Sequence, residues 1–177
     1  MPNLNCLDAE RPNAAFPRRA WERVGVFTRR DTGTVSLPLV FYTIDMDTIP
    51  IKTRSKQEFI DISRKVCALL QKKGVREGLC CVYVPHTTAA VTINENADPS
   101  VRRDIINKLL TLIPREGDYT HGEGNSDAHI KSTLAGASIC IPITDGKLAL
   151  GTWQGIFFCE FDGPRQREVF VQIIKSE

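Results

Sequence analysis

No stretch of this sequence approaches the roughly 20 apolar residues that a membrane-spanning helix needs; its longest apolar runs lie within Gly78 to Pro85 and Gly155 to Cys159. Nor does a basic segment lead into an apolar signal core, so a cytoplasmic location is expected. The formal charge is only +2, and no basic stripe carries interleaved aromatics, which argues against nucleic acid as a partner. The six cysteines, at 6, 67, 80, 81, 140 and 159, include no CxxC pair. Thiols scattered in this way are expected to be buried and reduced. Also missing are a P-loop, a GxGxxG turn after a strand, a GxSxG elbow, an HExxH helix and an acidic calcium loop, which leaves the best known nucleotide, hydrolase and EF-hand chemistries without support. A small-molecule partner is favoured.

What is present is an ordinary globular composition, 177 residues with 42% hydrophobic and 25% charged, enough for one core and too little for two substantial domains. The first 45 residues differ from the rest. Their basic residues are all Arg, and segments such as ERPNAAFPRRAWER are broken by proline and lack periodicity. Residues 1–45 are expected to form a loosely ordered extension, with Met46 as a candidate natural start and residues 46–177 as the domain. LPLVFYTIDM, at the end of the extension, nevertheless has strand composition.

From Ile49 the signals become regular. IPIKT and EFIDI read as strands, Ser63 as the N-cap of a helix from about Arg64 to Lys73, and Gly74 as its left-handed stop. GLCCVYVP and the β-branched TTAAVTIN follow as strands on either side of His86. Asp98 with Pro99 predicts a second helix carrying Val101, Ile105, Leu109 and Leu112 on one face. REGDYTHGEGNSDAHIK reads as a long loop, HIKSTLAG as a short helix, ASICIPI as a strand, and TDG as a hairpin turn into KLALGTWQ. GIFFCEF and REVFVQII close the chain. Six to eight strands and about three helices without βαβ alternation predict a compact α+β domain built on mainly antiparallel sheet.

Three histidines are few, and His86, His121 and His129 all fall in loops or at element ends. Convergent imidazoles hold a divalent ion or supply an acid and a base; dispersed, they would merely cap elements, and their spacing alone leaves both readings open. INENAD places Asn94, Glu95, Asn96 and Asp98 directly after an apolar strand, where carboxylates accept protons and amides donate to phosphate; Asp98 is better read as a helix cap. Lys131, early in a short helix, suits a phosphate group or plain exposure. Arg165 follows a Gly-Pro turn and could fork onto a phosphate, while Arg167 could equally be a solvated strand residue. Trp153 and Gln154 lie between Gly151 and Gly155, where an indole can stack on a flat heterocycle or fill a core.

Taken together, HTTAAVTINENADPSVRRDI, GDYTHGEGNSDAHIKSTLAG and DGKLALGTWQGIFFCEFDGPR closely resemble the signature blocks of the YjbQ family, named for secondary thiamine-phosphate synthase activity, over about residues 49 to 177. The family's histidines match His86, His121 and His129, and its other polar positions match Asn94, Glu95, Asn96, Asp98, Asn125, Lys131, Thr152, Gln154, Glu160 and Arg165. The resemblance implies an α+β subunit assembling as a homotrimer, with a three-histidine site able to take a divalent metal, zinc or magnesium. It implies the joining of hydroxymethylpyrimidine diphosphate to thiazole phosphate with release of pyrophosphate. The expected catalytic set is His86, Glu95, His121, His129 and Lys131, with Asn94, Asn96, Asn125, Trp153, Gln154 and Arg165 binding substrate. A metal-assisted hydrolase of a phosphorylated metabolite, and a non-catalytic protein binding a metal or such a metabolite, are the alternatives.

Overall fold

The structure, a computed structural model, describes residues 46–176. The expectations for residues 1–45, including the strand up to Asp45, lie outside them. The described residues form eight strands and three helices: β1 (Met46–Lys52), β2 (Glu58–Asp61), α1 (Ser63–Lys73), β3 (Gly78–Tyr83), β4 (Ala89–Glu95), α2 (Pro99–Leu112), α3 (Ser126–Ala135), β5 (Ser138–Thr144), β6 (Lys147–Leu148), β7 (Gln154–Glu160) and β8 (Gln166–Lys175). One sheet has five strands in the order β1-β8-β3-β5-β6, and the other has three in the order β2-β7-β4. All pairings are antiparallel. The expected α+β class is thus the observed one.

Period-two patterning explains the larger sheet. Ile49 and Ile51, Val169 and Val171, Cys80 and Val82, and Ile141 and Ile143 all enter one core with Val66 and Leu70 of α1 and Val91, Ile156 and Phe158 of the smaller sheet. The smaller sheet is covered on its other face too. There Ala90, Phe157 and Cys159 meet Ala128 of α3, with Leu109 of α2 packed alongside. A strand covered on both sides has no reason to alternate, which is why GIFFCEF reads as an unbroken apolar run.

Local chemistry sets the element ends. Asp98 caps α2 as predicted, accepting from the Ser100 N–H at 2.7 Å, with Pro99 as the first helical residue. Ser63 is not the cap of α1 but its first residue. Asp61 accepts from the Ser63 N–H at 2.8 Å, while the Ser63 hydroxyl accepts from the Ile156 N–H at 2.9 Å and ties the helix to β7. Asp145 and Gly146, with φ of 53° and 75°, form the two-residue turn between β5 and β6. Helix α3 starts at Ser126, inside the stretch read as loop, because its polar first turn is helical: Asn125 occupies the N-cap position and Asp127 sits in the first turn. The stripe on α2 is covered more thinly than its periodicity predicts. No residue of α2 is fully buried, and Leu112 is 64% exposed.

Candidate functional site

The floor of the site is a buried ion pair. Glu160 ends β7, Arg167 is the second residue of β8, and both point inward, in phase with Phe158 and with Val169 respectively. Arg167 forks onto Glu160 through Nη2 to Oε1 at 2.6 Å and Nε to Oε2 at 2.8 Å. The carboxylate also accepts from the N–H groups of Phe161 and Asp162 and from the Thr53 hydroxyl. Both side chains are buried, so Arg167 is not the solvated strand residue its sequence context allowed. Its Nη2 also donates to the Thr88 hydroxyl at 2.8 Å, fixing the turn that carries His86.

His86 follows β3 and lies against the start of β8, where its Nε2 accepts from the Glu168 N–H at 2.9 Å. A backbone N–H only donates, so the Nε2 lone pair is engaged and the neutral ring carries its proton on Nδ1. Burial and the nearby Arg167 charge lower the His86 pKa against the opposing pull of Glu160 and Glu168, which keeps the ring neutral at neutral pH. His86 lines an open cavity of about 570 Å³ with Tyr83, Thr87, His129 and Thr133. His129, on α3, also lines a second cavity of about 380 Å³ with Tyr119, Thr120 and His121. The His121 and His129 rings meet edge to face, with centroids 5.4 Å apart.

The three imidazoles lie along two cavities that share His129. In this arrangement the His86 Nε2 lone pair is engaged by the Glu168 N–H, so His86 would join His121 and His129 on an ion only by releasing that contact. Among the described residues no group of three or more His, Cys, Asp or Glu side chains is placed to hold a metal ion.

The other expected residues divide between the two ends of the smaller sheet. Asn125 is buried and donates to Asp162 at 3.2 Å, and Arg165 donates to the same carboxylate at 2.6 Å, beside Glu160. Lys131 is fully buried and paired with Asp127 at 2.7 Å, so its ammonium anchors α3 instead of meeting a phosphate. Asn94, Glu95, Asn96, Trp153 and Gln154 sit at the opposite end, where Glu95 pairs with Gln154 while Ala89 pairs with Glu160. The seven residues of β4 set these ends about 20 Å apart. At that far end Asn96 donates to Asp61 at 2.9 Å, the Gln154 side chain accepts from the Gly151 N–H at 2.7 Å, and Trp153 is 66% exposed instead of core. One subunit therefore does not bring Glu95 and its neighbours to the histidines.

The family model for the UPF0047 protein YjbQ-like family matches residues 47–176. The chain belongs to this family. Its relatives include UPF0047 protein MJ1081 of Methanocaldococcus jannaschii, 59% identical across 70% of this chain and 90% of that one, and UPF0047 protein YugU of Bacillus subtilis, 48% identical across 73% and 98%. The fold is likewise that of a YjbQ/UPF0047 protein from Clostridium acetobutylicum, with a TM-score of 0.72 at 55% identity over 72% of this chain and 99% of that one. A YbjQ-like protein from Sulfolobus solfataricus matches with a TM-score of 0.72 at 34% identity over 76% and 99%. Among the described residues of this YjbQ-like chain, no helix is long and apolar enough to cross a membrane.

Asp162 shows how tightly the loop after β7 is held. Burial alone would raise its pKa, but hydrogen bonds from Lys56, Asn125 and Arg165 outweigh that and hold it at about 2. A depressed carboxylate contributes stability above its unfolded value of about 3.9, lost as pH falls through the folded one. Stability is expected to drop by about 2 kcal/mol between about pH 4 and 2 on this account. Urea titrations across that range should show the drop flattened in Asp162→Asn, and an unchanged slope in that variant would remove the assignment.

Proposed function

We propose that this chain is a secondary thiamine-phosphate synthase-type transferase, joining hydroxymethylpyrimidine diphosphate to thiazole phosphate in the cavity lined by His86 and His129. The observation that carries the reading is the His86 ring, whose Nε2 is engaged by the Glu168 N–H and whose Nδ1–H is therefore a fixed donor. In the reaction the C–O bond between the pyrimidine methylene and the diphosphate breaks, the diphosphate leaves with the electron pair, and the thiazole nitrogen lone pair forms the new C–N bond. No proton needs to be removed in that step. A neutral donor aimed at the leaving oxygen gains strength as charge develops there, and Thr87 and Thr133 in the same wall add hydroxyl donors. A divalent ion shared by His121 and His129 would supply further positive charge for the diphosphate.

Assembly belongs to the same reading. Asn94, Glu95, Asn96, Trp153 and Gln154 reach a histidine cavity only from a neighbouring copy, so the working unit is taken to be a homotrimer with shared sites. Exposed Leu110 and Leu112 on α2 and Ile130 and Leu134 on α3 supply apolar surface for it.

The test is thiamine phosphate formation from the two substrates under steady-state conditions. His86→Ala is expected to lose at least about 100-fold in kcat with the fold intact by circular dichroism. Near-parental rates in both His86→Ala and His129→Ala would end the proposal. Release of phosphate from other esters would point to a hydrolase instead, and saturable binding without turnover to a binding protein.

A further inference from the structure

Two of the cysteines expected to be buried are not. Cys81 on β3 and Cys140 on β5 stand directly opposite each other in the antiparallel register, on the outer face of the five-stranded sheet. Cys140 is exposed and Cys81 is half-buried, and their sulfurs are 3.0 Å apart. The Val84 N–H donates to the Ala137 oxygen in the same register, which makes Val84 and Ala137 a hydrogen-bonded pair. Counting back by alternation, Cys81 and Cys140 form a non-hydrogen-bonded pair, where Cα atoms lie about 4.5 Å apart and side chains approach most closely. That separation falls within the range spanned by disulfides.

The geometry points to a redox modification site: Cys81 and Cys140 form a cross-strand dithiol that a small disulfide oxidises to an intrachain bond. The exposed Cys140 thiolate attacks one sulfur of RS–SR, that S–S bond breaks, and RS⁻ leaves and takes up a proton. Cys81 then gives up its proton and attacks the Cys140 sulfur, expelling the second RS⁻. Two protein thiols are oxidised, one small disulfide is reduced to two thiols, and electrons and protons balance.

The division of labour follows from exposure and charge. Burial, the hydrogen bond with Cys140 and the Cys140 charge push the Cys81 thiol up to about 11, so Cys81 follows and does not lead. Once Cys140 is in a mixed disulfide its negative charge is gone, which removes one of those obstacles when Cys81 must ionise. Nothing in this requires the transferase reading. It does bear on the same region, because Tyr83 pairs with Ser138 two positions further along, and Tyr83, Val84, Gly136 and Ala137 line the larger cavity.

The experiment uses the full chain with Cys6→Ser as the parent, reduced, exposed to glutathione disulfide, quenched by alkylation in acid and mapped by mass spectrometry without reductant. The expected product is a peptide pair joining Cys81 to Cys140 within one chain. In a Cys81→Ser derivative a glutathione adduct should persist on Cys140, and in Cys140→Ser modification at position 81 should be at least about tenfold slower. A lasting adduct on Cys140 in the parent, a bond between two chains, or thiols left unmodified would each overturn the proposal. The parent measurement decides the matter even if a variant folds poorly.

Discussion

Arg167→Ala is expected to cost about 3–5 kcal/mol of folding stability, because it leaves the fully buried Glu160 carboxylate without its counter-ion. Arg167 supplies two of the five hydrogen bonds on that carboxylate. The remaining donors, two backbone N–H groups and a hydroxyl, satisfy lone pairs without neutralising the charge. Chemical denaturation of parent and variant gives the difference directly, provided the slope with denaturant is unchanged. Glu160→Gln combined with Arg167→Met should recover much of the loss, since removing both charges abolishes the desolvation penalty along with the attraction. A cost under about 1 kcal/mol for Arg167→Ala would mean that the pair is solvated. The variant also loses the hydrogen bond to Thr88, so it should loosen the turn bearing His86 and lower activity more than the stability loss alone accounts for.

Mixing His86→Ala subunits with Glu95→Ala subunits should restore turnover that neither variant has alone. If a histidine cavity of one copy is completed by Glu95 of the next, an interface is whole only when the histidine side comes from a Glu95→Ala subunit and the Glu95 side from a His86→Ala subunit. Random reassembly of equal amounts makes about a quarter of the interfaces whole in a cyclic trimer, and about a quarter of the parental rate is the expected result. Refolding the two together, with light scattering to count subunits, supplies the check. A mixture no more active than its separate components would place the complete site in one subunit or remove Glu95 from it.

How much of this could be read in the residues depends on the range of the interaction. Asp98-Pro99 announced the start of α2, Thr144-Asp145-Gly146 the hairpin, and Gly74 the end of α1, because each is decided by neighbours within a few positions. The phase of β8 was legible too: Arg167 shares its face with Val169 and Val171, a signal of inward direction that its charge obscured. Its partner Glu160 lies across a connecting loop and could be matched to it only through the sheet pairing. Lys131 was misplaced for a related reason, since its i−4 spacing to Asp127 was visible but the burial that makes the two an inseparable pair was not. The histidines were singled out by scarcity and placement near element ends, and the structure sets them along two cavities, His129 within α3. Whether they share one focus turns on the His86 contact with the β8 backbone, and no pattern in the chain encodes that contact.

The margins of the two sheets have a consequence for how copies can meet. β1, at one border of the larger sheet, carries Pro50 in its middle, and β6, at the other, is two residues long. In the smaller sheet β2 has only four residues, and the Val91 N–H of β4 is already taken by the Gly136 oxygen. Among the described residues, unpaired main-chain rows long and regular enough to template another strand are scarce, which disfavours lateral zippering through these edges. Contacts between copies of the described domain are thereby left to side-chain surfaces instead of main-chain pairing.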